Sequence, residues 1–152
     1  MNNEELKQFI YNASRATYAS GDESLQERQS DGSTTIRFSE GIYAYHDNYF
    51  GGEPYGGREV VFYDGKPIWM MVYYGAVSGA PKLDVYTFLM KALSQSTLDM
   101  PYRGPEKYTD EMWLYENSLT GDIERFSGTE KIYYHGLCVY RADYIGGFID
   151  RY

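Results

Sequence analysis

Tyr55-Gly56-Gly57-Arg58-Glu59-Val60-Val61-Phe62-Tyr63-Asp64-Gly65 lies over Phe126-Ser127-Gly128-Thr129-Glu130-Lys131-Ile132-Tyr133-Tyr134-His135-Gly136 when the chain is slid past itself by 71 positions. The register continues through Ile68-Trp69 over Val139-Tyr140, Tyr73 over Tyr144 and Gly75 over Gly146. Gly57, Glu59, Tyr63, Gly65, Tyr73 and Gly75 are identical in both copies. Turn glycines and strand residues thus keep one spacing, which points to a structural unit used twice. Two copies are too few for a stacked solenoid. The expectation is one domain over 1–152 with a pseudo-two-fold, its repeats spanning about 3–75 and 84–147.

Each copy predicts a helix followed by three or four strands. Leu6, Phe9, Ile10, Ala13 and Ala16 recur at three- and four-residue spacing, so residues 3–19 read as an amphipathic helix, capped by Asn2 or Asn3 and stopped at Gly21. Residues 20–35 are polar and read as a loop. Strands follow at Ile36–Phe38 and Gly41–Tyr49, the latter placing Tyr43, Tyr45, Asp47 and Tyr49 on one face. Asp64-Gly65 marks a hairpin between 58–63 and 66–74. Val85, Phe88, Leu89, Ala92 and Leu93 define a second helix over 84–98, with Asp84 as its cap. Strands are then expected at Met112–Asn117, Ile123–Phe126, Glu130–Tyr134 and Leu137–Arg141, with turns at Gly121-Asp122 and His135-Gly136. Short turns imply antiparallel neighbours, and helices must cover a sheet face, so the class is α+β.

Composition narrows the function. The chain has 152 residues, a formal charge of −8 and 18 tyrosines. An acidic surface with singly scattered cations does not suit a phosphate backbone, so no direct nucleic-acid contact is expected. Cys138 is the only cysteine, which excludes an internal disulfide and fits a reducing cytoplasm. There is no signal-peptide pattern and no apolar run of the roughly 20 residues that a membrane span needs. The reading is a cytoplasmic protein away from the membrane. Two histidines without ligand spacing predict no metal site, and no nucleotide or dinucleotide fingerprint calls for a cofactor.

Several strings resemble a bacterial domain family of unknown function: Thr17-Tyr18-Ala19, Tyr43-Ala44-Tyr45-His46-Asp47-Asn48-Tyr49-Phe50-Gly51-Gly52, Gly57-Arg58-Glu59-Val60-Val61, Pro67-Ile68-Trp69-Met70-Met71-Val72-Tyr73-Tyr74-Gly75, Arg103-Gly104-Pro105 and Phe126-Ser127-Gly128-Thr129-Glu130. Members of that family occur alone or behind XRE-type helix-turn-helix domains. The resemblance implies a sensing or regulatory context and supplies no activity or catalytic residues.

Glu59 is the sharpest candidate for chemistry. A two-residue Asp64-Gly65 turn would set Met70 opposite Glu59, leaving the carboxylate among apolar neighbours. It must then be paired, hydrogen-bonded or protonated. It is either a functional anion or a structural group satisfied by a Tyr hydroxyl or by Arg103. The same register sets Arg141 opposite Glu130, a cross-strand ion pair. Arg103, in a loop, either clamps an anionic ligand or pairs with an acid to fix that loop. Tyr45, Asp47, Trp69 and Tyr73, with Glu59 and Arg103, are the candidate ligand-binding residues, and no catalytic residue is assigned. Together they suit an aromatic or cationic small molecule. At the level of fold alone, duplicated α+β effector-binding domains that pair an aromatic pocket with a glutamate are an analogy. The expected function is a non-enzymatic ligand-binding or sensing module. The alternatives are a protein-interaction module forming a homodimer, and an enzyme using Glu59. Cys138, in mid-strand, is expected to pack as a small apolar residue.

Overall fold

The computed structural model describes residues 1–150. Helix α1 (Asn3–Ala16) leads, through single 3-10 turns at Tyr18–Ser20 and Glu23–Leu25, into strands β1 (Glu27–Arg28), β2 (Thr34–Glu40), β3 (Tyr43–Phe50), β4 (Tyr55–Tyr63) and β5 (Lys66–Val77). Helix α2 (Lys82–Leu93) then precedes β6 (Lys107–Asp110), β7 (Trp113–Asp122), β8 (Arg125–Tyr134) and β9 (Leu137–Phe148). All nine strands form one antiparallel sheet, ordered β1-β2-β3-β4-β5-β9-β8-β7-β6. The α+β class and the helix-then-strands order are as expected from the sequence.

The sheet carries the repeat in its register. In the central β5–β9 pair, Tyr73 lies opposite Tyr144. Those two residues are 71 apart, the same offset that aligns the copies, so the pseudo-two-fold passes between them. Residues Asp64 and Gly65 have φ of 49° and 75°, and His135 and Gly136 have 49° and 78°. Both hairpins therefore close through the same left-handed pair, for which Asp-Gly and Gly-containing turns are suited. Each hairpin also bulges at the same place, between Val61 and Phe62 and between Ile132 and Tyr133.

That bulge overturns the register expected from the turns. The extra residue on the returning strand puts Met71, not Met70, opposite Glu59, and Ala142, not Arg141, opposite Glu130. A one-residue slip reverses which face each side chain meets. Trp69 and Met71 thus share the buried face with Glu59, while Arg141 turns outward and pairs with Asp143 at 3.1 Å.

Other boundaries move for local reasons. The Asn2 side chain accepts the Glu5 N–H at 2.8 Å, capping α1 as expected. The helix stops earlier than predicted because Thr17 leaves helical geometry and its hydroxyl donates back to the Ala13 carbonyl at 2.7 Å. Gly21, at φ 71°, ends the following 3-10 turn instead. Helix α2 begins two residues earlier than expected, with Pro81 at the cap and Asp84 inside its first turn. The expected strands at 123–126 and 130–134 are one, β8, which runs unbroken through Gly128 after a turn at Ile123-Glu124. Cys138 is exposed, because at the bulge it faces away from the core.

Both helices cover the same face. Leu6, Phe9, Ile10 and Ala13 of α1 pack on Tyr45, Val61, Trp69, Met71 and Tyr73. Val85, Phe88, Leu89, Ala92 and Leu93 of α2 pack on Tyr115, Ile132, Tyr140 and Ala142. Burying each such side chain contributes about 1.5–3 kcal/mol before entropy is counted. The opposite face is open, with Val72, Tyr74 and Ile145 exposed near the pseudo-axis. Among the described residues, no helix is long and apolar enough to cross a membrane.

Candidate functional site

Beneath the helices the two copies build matching polar constellations. In the first half Asp47 of β3 lies directly opposite Glu59 of β4. Residues paired in this way share a face, so both carboxyl groups point toward the helices. They are 4% and 1% exposed. The Tyr45 hydroxyl donates to Glu59 Oε1 at 2.7 Å, and the Tyr73 hydroxyl makes a short bond to Asp47 Oδ1. Gly57 makes the second contact geometrically feasible. A Cβ there would come within 2.7 Å of the Tyr73 hydroxyl and 2.6 Å of Tyr49 Cβ, so only glycine leaves room for the ring to cross β4.

The second half repeats this frame. The Tyr115 hydroxyl donates to Glu130 Oε2 at 2.5 Å, and the Tyr144 hydroxyl donates to Asn117 Oδ1 at 2.5 Å. Gly128 is where the Tyr144 ring crosses β8. The identities Gly57, Glu59 and Tyr73 are thereby explained as one device: a glycine that admits a tyrosine beside a tyrosine-bound glutamate. Two things differ. Asn117 stands where the first half has Asp47, and Arg103 reaches Glu130, with Nε at 3.1 Å and Nη2 at 2.5 Å from Oε1. Tyr140 adds a bond to the same oxygen at 3.0 Å. Gly104 donates to the Tyr115 hydroxyl at 3.0 Å and accepts from Asn117 Nδ2 at 3.0 Å, which pins the loop that carries Arg103. Arg103 is 5% exposed. Burial alone would depress its pKa, but the Glu130 carboxylate overcomes that and holds the guanidinium charged.

The first half has no such cation. Among the described residues neither Asp47 nor Glu59 makes an ion pair, and the remaining oxygens, Asp47 Oδ2 and Glu59 Oε2, have no hydrogen-bond partner. Burial, followed by repulsion from Asp47, pushes Glu59 up to about 8. Burial pushes Asp47 up to about 6, against the lowering effects of the Tyr73 bond and the field of Arg103. Both carboxyl groups are therefore pushed toward their protonated forms, Glu59 the more strongly. Two adjacent carboxyl groups out of water cannot both ionise cheaply.

A cleft of about 740 Å³ opens onto Asp47 between the 17–32 segment, the Gly51-Gly52 turn and α2. Asp47 and Arg103 lie in its wall with the rings of Tyr49, Tyr55, Tyr73 and Tyr86. Of the residues expected from sequence, Tyr45, Asp47, Glu59, Tyr73 and Arg103 are brought together. Glu59 and Tyr45 form the layer behind Asp47 and do not line the cleft. Trp69 lies elsewhere: it is wholly buried, stacks on Phe126 at 5.7 Å and donates to the Ile123 carbonyl at 3.2 Å. Arg103 follows the structural alternative of an acid-paired arginine, with Glu130 as the acid, and Arg141 is not that partner. Tyr18, Tyr55 and Tyr86 were not expected at the site. Tyr55 had a signal, its alignment with Phe126 at the start of the repeat. Tyr18 and Tyr86 flank the apolar stripes of their helices and carry none. Among the described residues no three His, Cys, Asp or Glu side chains gather as metal ligands. A larger depression, about 980 Å³, lies on the open sheet face, where Arg141 and Asp143 are exposed and pair with each other.

A family model described as a domain of unknown function, DUF5680, matches residues 47–149. The chain belongs to this family. The DUF5680 span begins at Asp47 and takes in Glu59, Tyr73, Arg103 and Glu130, while Tyr18 and Tyr45 lie before it. Comparison with curated proteins and with solved structures gives no match.

Proposed function

We propose that this chain is a non-enzymatic binding or sensing module whose cleft takes a small organic cation with an aromatic or otherwise flat body. One observation carries the reading: Asp47 is a buried carboxyl with an unpartnered oxygen, in the wall of an aromatic cleft, in the half of the molecule where neither buried acid is ion-paired. Tyrosine faces attract cations, and a carboxylate held in low dielectric gains more from one than it would in water. The cleft volume falls in the range of small-molecule sites. Glu59 lies behind Asp47, which favours binding over catalysis by Glu59. The formal charge of −8 fits the same partner and disfavours direct nucleic-acid contact. We place the module in the bacterial cytoplasm, in the sensing context implied by the likeness to domains found behind helix-turn-helix units.

Titration of intrinsic fluorescence with benzylammonium, with benzyl alcohol as the uncharged control, tests this. Saturable binding is expected for the cation alone. Asp47→Asn, which copies the Asn117–Tyr144 arrangement of the other half, should abolish it without lowering the unfolding midpoint. Equal affinity for benzyl alcohol, or full affinity in Asp47→Asn, would overturn the proposal. A homodimer is the second reading, favoured by Val72 and Ile145, which face each other across β5 and β9 on the open sheet face while 41% and 52% exposed. Light scattering on the eluted protein decides it: a mass of one chain excludes the dimer.

A further inference from the structure

The second half shows what kind of cation this framework accepts. Counting back from the closing pairs of the two hairpins, Glu40–Tyr43 and Asp110–Trp113, Ser33 falls the same number of residues along the chain as Arg103. Both residues are buried. The Ser33 hydroxyl is used locally, donating to Asp31 at 2.5 Å and accepting from Asn48 at 3.0 Å. The guanidinium that satisfies Glu130 therefore has no counterpart beside Glu59. The frame that holds it, however, is duplicated: the glutamate, its tyrosine hydroxyl donor, the crossing tyrosine and the glycine beneath that tyrosine. Trp69 replaces Tyr140, which removes a hydroxyl donor to the glutamate and sends the indole N–H to Ile123 instead. Asp47 replaces Asn117, which removes an amide donor and adds an acceptor. Every exchange moves the first half toward more acceptors and fewer donors.

We infer that the cleft is selective for a planar guanidinium or amidinium group, seated against Asp47 much as Arg103 is seated against Glu130. This deepens the cation reading and rests on it. The Asp47 carboxylate, whose Oδ1 takes the Tyr73 hydroxyl, calls for a donor with several N–H bonds in one plane, and a forked guanidinium meets that need where an ammonium is a compact, strongly hydrated point charge. The aromatic surroundings agree. The guanidinium carbon of Arg103 already lies 5.7 Å from the Tyr18 ring centre and 5.6 Å from that of Tyr73, so the rings at this site accept a planar cation on their faces. No bond is made or broken, and the site acts by recognition alone.

Phenylguanidine, benzamidine, benzylammonium and benzyl alcohol are titrated against the whole chain at neutral pH. Phenylguanidine and benzamidine are expected to bind about tenfold or more tightly than benzylammonium, because a bidentate charge-assisted contact adds energy and directionality to a single one. If benzylammonium binds as tightly as the two planar cations, the selectivity inference fails and the cation reading stands. If none of the cations saturates the protein, both fall. Because the ratio is measured on the unmodified chain, the inference does not depend on any variant folding.

Discussion

The two halves of this sheet are built from one plan and completed differently. Around Glu130 the plan is closed: a guanidinium, two tyrosine hydroxyls and a loop pinned through Gly104 leave no acceptor wanting. Around Glu59 it is open: a second acid replaces an amide, and no cation bonds either one. Burial favours neutrality, so the closed half uses its charges as a structural pair, and the open half's acids are pushed toward their protonated forms. The lesson lies in the exchange of a few side chains on a fixed backbone. Asp for Asn, Ser for Arg and Trp for Tyr convert a structural knot into a group that stands ready for a partner.

Breaking the closed half should give the largest effect. Arg103→Ala leaves the Glu130 carboxylate buried without its cation, at a cost of about 3–5 kcal/mol in denaturant unfolding. Arg103→Leu combined with Glu130→Gln should recover most of that, because the loss comes from the stranded charge. If Arg103→Ala unfolds at the parent midpoint, the two halves are not held by different means and the comparison collapses.

The open half should show its difference as a pH dependence. Asp47 and Glu59 are both raised by burial above their unfolded values, so the folded chain binds protons more tightly than the unfolded one. Their contribution to stability is fully present below the ordinary carboxyl range and is lost as pH rises toward about 6 for Asp47 and about 8 for Glu59. Unfolding free energy should therefore fall across that window, each group contributing at most ~1.4 kcal/mol per pH unit. Glu59→Gln should flatten the upper part of the slope, above about pH 6, and leave the lower part. A wild-type profile that rises over the same window would show that both acids are ionised and paired.

Much of this was legible in the sequence. The repeat, the helices, the Asp-Gly and His-Gly turns and the burial of Glu59 against a tyrosine hydroxyl follow from local spacing and from the cost of an unsatisfied acid. What was not legible depends on a single inserted residue. The bulge beside Ile68, repeated beside Val139, leaves no mark in composition or alternation, and it decides which residue opposes each glutamate. Gly128 reads as a break between two short strands until the ring that crosses it is known. Arg103 was visible as a loop arginine, but its reach to Glu130 spans 27 positions, which no local pattern encodes. Tyr18 and Tyr86 came to the cleft only through the packing of the helices.

The smallest effect should come from the residue that the turn alone would have chosen as the partner of Glu130. Were the hairpin regular, Arg141 would sit opposite that glutamate, and Arg141→Ala would strand a buried charge as severely as Arg103→Ala. With the bulge in place, Arg141 lies opposite Lys131 and pairs with Asp143 on the open face, both side chains more than half exposed. Exposed pairs of this kind contribute little, because water solvates both ions and the side chains must be ordered to meet. Arg141→Ala should leave the denaturant midpoint unchanged, and added salt should not separate it from the parent. The pair of variants thus reads the register directly. A large loss at position 103 with none at 141 requires the bulge, whereas the reverse would restore the regular hairpin and with it a second half closed by its own strand.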